Sequence, residues 1–394
     1  MPQWKSQPIF RVEHCAAHNS KEHKREFRMP TFRPLYVACI AIFCTLVFSI
    51  SSPLEKNAPG NLASVNAELS TAGSSAEADD SSSASSTIGE LIEETGFYQS
   101  IRLSSDAPIY QKQSAYQFIE VRHSPYYGKI LVLDGVVQLT ERDADSYNEM
   151  LAHIPLFQHP RPVRVLLIGG GDGYVLSEIL KHPSVEHVDH VDLDGEVVET
   201  CREHFSWNQA WNDKRVSLHI ADGAAFVKNA AAGAYDVIVQ DSSDPWTWSE
   251  SGEKIVLPSS VLYSAEHFSN IYRALSPGGI LNIQAETLQI PSDVNGVRDW
   301  RNLALSVGFE SSRYGSIMIS SYPTGQIGFL LCEKDAGASS SAQQIQTRFD
   351  EIVANGKATS YYHPPLQTAS FVLPLWAEQH IYATETSPSV TEEL

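Results

Sequence analysis

Between Val163 and Gln284 short apolar runs recur, separated by segments whose apolar residues fall at helical spacing. Arg164–Ile168, Val188–Leu193, Val216–Ile220, Ala234–Gln240 and Ile280–Gln284 have the length and β-branching of buried strands. Val175–Leu180 and Gly195–His204 read as helices between them. Such a series predicts an α/β fold, a parallel sheet with helices on both faces, in a Rossmann-like domain over 146–380 with a flexible tail at 381–394. Ahead of it Gln117–Arg122 alternates, Lys129–Leu133 is apolar and Asp134-Gly135 has hairpin-turn chemistry. These predict a small antiparallel β domain over 89–145. Tyr147–Phe157 reads as a helix leading to the Pro160–Pro162 break.

The N-terminal pattern differs. Residues 1–33 are basic, with Lys21, Lys24, Arg25, Arg28 and Arg33 close together. Across residues 34–54 the stretch Leu35–Leu54 carries no charge and Tyr36–Ile50 is strongly apolar, about the ~20 residues that span a bilayer. A secretory signal starts nearer the terminus and has a shorter apolar region. The expectation is a single-pass membrane anchor with its basic flank on the cytoplasmic side, hence a membrane-anchored protein; the alternative is an organelle-targeting presequence cleaved after import. Residues 55–88, rich in Ser, Ala, Asn, Gly and acid, read as a disordered linker.

The chemistry begins at the turn after the first Rossmann strand. Gly169-Gly170-Gly171 removes every Cβ, so the backbone can lie against a ligand, and loop amides with a helix N-terminus favour negative charge. Asp172 within the loop reverses that preference. It repels a pyrophosphate and suits a cation such as a sulfonium nucleoside. Ligands of open α/β sheets bind beyond the carboxyl ends of the strands, where Asp172, Asp192, Asp222 and Asp241 fall after four successive strands. Any one of them alone reads as a helix cap or solvated turn; their common rim points to a site. An acid after the second strand suits ribose hydroxyls, and Asp222 can accept from an adenine amino group. Asp241 and Asp244, in Asp241-Ser242-Ser243-Asp244-Pro245, form a compact anionic pocket able to bind an ammonium and deprotonate an amine.

Composition agrees. The net charge of −19 excludes a nucleic-acid partner, which needs a basic face, and suits a cationic substrate. The five cysteines form no CxxC pair, and no His/Cys cluster implies a metal.

These residues resemble the polyamine aminopropyltransferases, most closely the spermidine synthases. The stretches that carry the resemblance are LVLDGVVQLTERD (131–143), VLLIGGGDG (165–173), HPSVEHV (182–188), ADGAAF (221–226), DVIVQDSSDP (236–245), SYPTGQIGFLLC (321–332), and YY followed by FVLP (361–374). The resemblance implies a methyltransferase-like Rossmann domain behind a β domain, and decarboxylated S-adenosylmethionine as co-substrate with no metal. It further implies a small cationic amine as acceptor and a homo-oligomer, expected as a dimer. It places Gln117, Gln138, Gly169, Gly171, Asp192, Asp222, Gly223 and Pro258 around the nucleoside, and Asp172 at the aminopropyl amine. Asp241 becomes the general base, and Tyr147, Asn148, Asp244 and Tyr322 become acceptor contacts.

The chain departs from the family pattern at Asn148, Tyr174, Gln289, Ser320 and Gln367, and in a longer loop at 246–257. Two other readings are an N-methyltransferase of the same fold and a non-catalytic polyamine-binding paralogue. Asp172 speaks against the first by repelling the carboxylate of a methyl donor; the retained Asp241 and Asp244 speak against the second.

Overall fold

A computed structural model describes residues 90–93, 99–207, 209–248, 254–357 and 359–383. Glu90–Glu93 (β1) and Gln99–Arg102 (β2) pair antiparallel. Tyr110–Gln113 (β3), Phe118–Ser124 (β4), Gly128–Leu133 (β5) and Val136–Thr140 (β6) form a four-stranded antiparallel sheet in that order. The alternation of β4 buries Ile119 and Val121. Asp134 and Gly135 join β5 to β6 with φ of 51° and 83°, the positive pair that a two-residue hairpin turn of matching twist requires.

The helix after this sheet, Ala144–Gln158 (α1), starts three residues before the predicted Tyr147 and carries Pro155 inside it. The α/β unit then runs through Arg164–Gly169 (β7), Tyr174–Ile179 (α2), His187–Asp192 (β8), Gly195–His204 (α3), Val216–Ile220 (β9), Gly223–Asn229 (α4) and Tyr235–Asp241 (β10). A short ribbon follows, Trp246–Trp248 (β11) and Lys254–Val256 (β12), in the stretch read as a loop. Beyond it come a 3-10 turn at Pro258–Tyr263, Ala265–Ala274 (α5), Leu275–Ala285 (β13), Pro291–Ser306 (α6), Ser311–Met318 (β14), Gln326–Glu333 (β15), Ala342–Ala354 (α7), Pro364–Ser370 (α8) and Leu375–Ile381 (α9).

Seven strands make one sheet in the order β14-β15-β13-β10-β7-β8-β9. The five expected strands are parallel; β15 pairs antiparallel to both β13 and β14. β7 alternates between faces: Val165 and Leu167 join one buried cluster with α1, α2 and α3, while Leu166 and Ile168 join a second with α5 and α6. That is why Val165–Ile168 carries no polar residue, as expected of a strand covered on both sides.

The membrane anchor is corrected. Among the described residues no helix is long and apolar enough to cross a membrane. Residues 34–54, on which that expectation rested, lie outside the described residues, as do the basic segment 1–33, the linker and most of the tail. Membrane association and an anchored localisation are withdrawn, because hydropathy over 34–54 was their entire basis.

Candidate active site

The strand order reverses between β7 and β10, and in open α/β sheets ligands bind at such a switch point, beyond the carboxyl ends of the strands. Asp241 pairs in register with Gly169, and the Gly170 N–H donates to the Asp241 carbonyl at 2.8 Å. A Cβ on Gly169, whose φ is +76°, would sit 1.9 Å from that carbonyl oxygen. One on Gly171 would sit 2.7 Å from Asp192 Oδ2. The glycine loop therefore threads between two acids, and no other residue type passes there. Asp172 follows it, with Oδ1 accepting from the Tyr174 N–H at 2.7 Å and its carbonyl accepting from Trp207 Nε1 at 2.8 Å.

Tyr147, on α1, donates its hydroxyl to Asp241 Oδ1 at 2.7 Å. Burial pushes the Asp241 carboxyl up to about 7; the neighbouring Asp172 charge adds to this, and the Tyr147 bond opposes it. Burial likewise raises Asp172 and Asp192, each to about 6, against the pull of backbone N–H groups. Burial raises Asp244, opposed by hydrogen bonds with Glu286 and Gln284. Glu286, 2% exposed, is pushed far above the carboxylate range by burial and then by the Asp244 charge. The Tyr322 hydroxyl donates to Glu286 Oε2 at 3.1 Å and Gln284 Nε2 to Asp244 Oδ1 at 3.1 Å. Among the described residues none of these five carboxylates forms a salt bridge. A desolvated acid cluster without a protein cation is an arrangement that an external cation stabilises.

The other expected residues divide. Asp192 Oδ1 accepts from the Asp194 N–H at 2.8 Å, and Asp194, which caps α3, accepts from Gln117 Nε2 at 3.0 Å and the Ser114 hydroxyl at 2.6 Å. Gln117 thus reaches the end of β8. Asp222 stands on the rim as expected and also caps α4, accepting from the Ala224 and Ala225 N–H groups. Gly223 allows close packing on Ile168, whose Cγ2 would lie 2.6 Å from an added Cβ. Pro258 opens the 3-10 turn behind Asp244. Gln138 is exposed on β6 and donates to the Val136 carbonyl. Asn148 is buried and donates to the Ala144 carbonyl one turn back, so that bond turns its amide to its own helix.

Sequence reasoning left Gln284 and Glu286 without a site role, although both stand at the end of β13, next to β10, on the rim that located the other acids. The ring of Tyr263, which bonds Gln284 at 2.7 Å, carried no signal. Among the described residues no group of His, Cys, Asp and Glu is arranged to hold a metal ion.

Comparison with known proteins bears on this geometry. Residues 144–342 match the spermine/spermidine synthase domain and residues 92–141 the spermidine synthase tetramerisation domain. Spermidine synthase 1 of Hyoscyamus niger is 39% identical over 275 residues, covering 69% of this chain and 84% of that protein. Spermidine synthase of Solanum lycopersicum is 38% identical over 275 residues, covering 69% and 77%. A crystal structure of a spermidine synthase in complex with the transition state analogue AdoDATO superposes with a TM-score of 0.63 at 29% identity, covering 72% of this chain and 90% of that one.

Proposed function

The chain belongs to the spermine/spermidine synthase family of transferases, and from that membership we propose that it moves the aminopropyl group of decarboxylated S-adenosylmethionine to putrescine, with Asp241 as general base. The observation that carries the reading is the placement of Asp241: in register against the glycine loop, bonded to Tyr147, and close enough to Asp172 to feel its charge. The co-substrate reading is further supported by the likeness to a spermidine synthase structure holding a transition state analogue.

Asp172 holds the ammonium of the aminopropyl arm, and a donor that kept its carboxylate would be repelled there. Asp192 takes the ribose hydroxyls, with Gln117 and Gln138 beside the nucleoside. Asp222, Gly223 and Pro258 border the adenine. Asp244 and Tyr322, with Glu286, take the distal ammonium of the diamine, while Tyr147 flanks its near end. Asp241 removes a proton from the near amine. The freed lone pair forms a bond to the methylene beside the sulfonium, the carbon–sulfur bond breaks, and its electron pair stays on sulfur as neutral methylthioadenosine leaves. The protein's share is positioning and desolvation, and a base near pH 7 suits proton removal at neutral pH. We read 89–145 as the assembly module and 146–380 as the catalytic one; the match of 92–141 to a tetramerisation domain supports a homo-oligomer, with a dimer as its smallest form.

The test is methylthioadenosine release by the full chain with decarboxylated S-adenosylmethionine and putrescine, cadaverine, spermidine or no amine. Release that requires an amine and disappears in Asp241→Asn is the expected result. Absence of release with every amine would overturn the assignment.

A further inference from the structure

The ribbon β11–β12 begins two residues after Asp244, and the Leu257 N–H closes its base on the Pro245 carbonyl at 3.0 Å. Trp246 is locked in place. Its ring lies 5.4 Å from that of Trp300 on α6, with the Lys254 ammonium 3.7 Å above it. Gly296, also on α6, makes the room: an added Cβ there would meet the Trp246 ring at 2.5 Å. Trp300 in turn packs against Tyr263 with ring centroids 4.5 Å apart and planes tilted by 35°. Burial raises the Tyr263 phenol, opposed by its Ser242 hydrogen bond and helped by the charges of Asp244 and Glu286, and the hydroxyl donates to Gln284 Oε1 at 2.7 Å. With its oxygen so engaged, Gln284 turns its NH2 to Asp244 Oδ1 at 3.1 Å.

We propose that the ribbon tunes the acceptor end of the site: Trp246, through Trp300, holds Tyr263 where its hydroxyl fixes the Gln284 amide, and Gln284 orients the carboxylate of Asp244 toward the distal ammonium of a linear diamine. Trp246 and Tyr263 are then positioning residues that set acceptor affinity and length preference. The proposal rests on the acceptor reading given under Proposed function. Without the phenol, Gln284 is free to flip and present its oxygen to Asp244, where it repels the carboxylate. The aromatic contacts explain why a ribbon lying beyond the acids influences them: its first residue, the aromatic wall and the amide form one continuous chain of contacts.

The test is steady-state kinetics on the full chain with 1,3-diaminopropane, putrescine and cadaverine, for Trp246→Ala, Trp246→Phe, Tyr263→Phe, Gln284→Ala and the Tyr263→Phe/Gln284→Ala double variant. Loss of one hydrogen bond to a charged group corresponds to a change of about tenfold at the lower end of its range. The expected result is therefore an acceptor KM raised about tenfold in Trp246→Ala, Tyr263→Phe and Gln284→Ala, with the donor KM unchanged. The preference among the three diamines narrows, Trp246→Phe stays close to the parent, and the double variant is no worse than Gln284→Ala. Additive losses in the double variant, parallel shifts of donor and acceptor KM, or unchanged acceptor KM would each overturn the proposal. Calorimetric titration of the same diamines into the methylthioadenosine complex gives an arm independent of turnover. A parent that transfers to no amine would sink the proposed function, and the same pattern of affinities across the variants would still decide this one.

Discussion

Replacing Tyr147 with Phe removes the one hydroxyl bond that opposes the upward shift of Asp241. A hydrogen bond to a charged group contributes about 1.5–3 kcal/mol, which is about one to two pKa units. Asp241 stands at about 7 with the bond in place, so its loss carries the carboxyl to roughly 8–9. At pH 7 the ionised fraction falls from about a half to between about a tenth and a hundredth, a five- to fiftyfold loss in kcat/KM for the amine. The assay is methylthioadenosine release across about pH 5.5 to 9.5 with one amine for both proteins, so that the amine's own titration cancels. The acid limb belongs to the whole acid cluster, and the measured quantity is its displacement between parent and variant. Activity should recover as the pH rises past the new limb. A loss of equal size at every pH would refute the reasoning, because it would assign Tyr147 to substrate placement and not to the proton affinity of Asp241.

Three further outcomes follow from the same contacts. Asp241→Asn should lower turnover by about 10²–10⁴. Because the folded-state value of Asp241 lies above the unfolded carboxylate range, its ionisation opposes folding, a penalty absent below about pH 4 and complete above about pH 7; the variant should thus melt a few degrees higher than the parent at pH 8 and alike at pH 4 by calorimetry. Glu149, 1% exposed, accepts from the backbone N–H groups of Ser360, Tyr361 and Tyr362 at 2.7, 2.8 and 2.7 Å; Glu149→Ala strands three donors and should cost about 3–5 kcal/mol in denaturant unfolding, with Glu149→Gln costing less. Light scattering on the full chain should return a multiple of the 43.5 kDa protomer, and a monomer at micromolar concentration would contradict the assembly reading of 92–141.

The core of the fold was legible because its signals are local. A run such as Val165–Ile168 is apolar at every position since both faces of β7 are covered, and each rim acid follows its own strand directly. β14 and β15 were harder to read. Antiparallel strands closing a parallel sheet have no crossover helix between them to announce the next strand, and Gln326–Glu333 registered only as a family motif although all of it is buried. Membrane insertion was drawn from hydropathy over residues that no described helix represents, and length with apolarity is a necessary condition for a span without being a sufficient one.

The site itself was half legible, and the division follows from geometry. Adjacent residues on a helix point about 100° apart. Tyr147 faces Asp241, so Asn148 cannot share that direction, and its amide bonds within α1 instead. A motif that matches two neighbouring positions cannot convey this; one turn of helix geometry does. The same limit applies to the acids. Strand ends locate Asp172, Asp192 and Asp241 one by one, whereas their raised proton affinities come from burial once β8, β7 and β10 are assembled, opposed at Asp241 by a phenol 94 positions distant in sequence. Asp222 shows that a structural role and a rim position are compatible, since its Oδ1 caps α4 while the residue stays exposed at the end of β9. Chemistry at this rim is therefore a property of the set: carboxylates that would each be ordinary caps alone become a cation site once the sheet brings them together without a counter-charge.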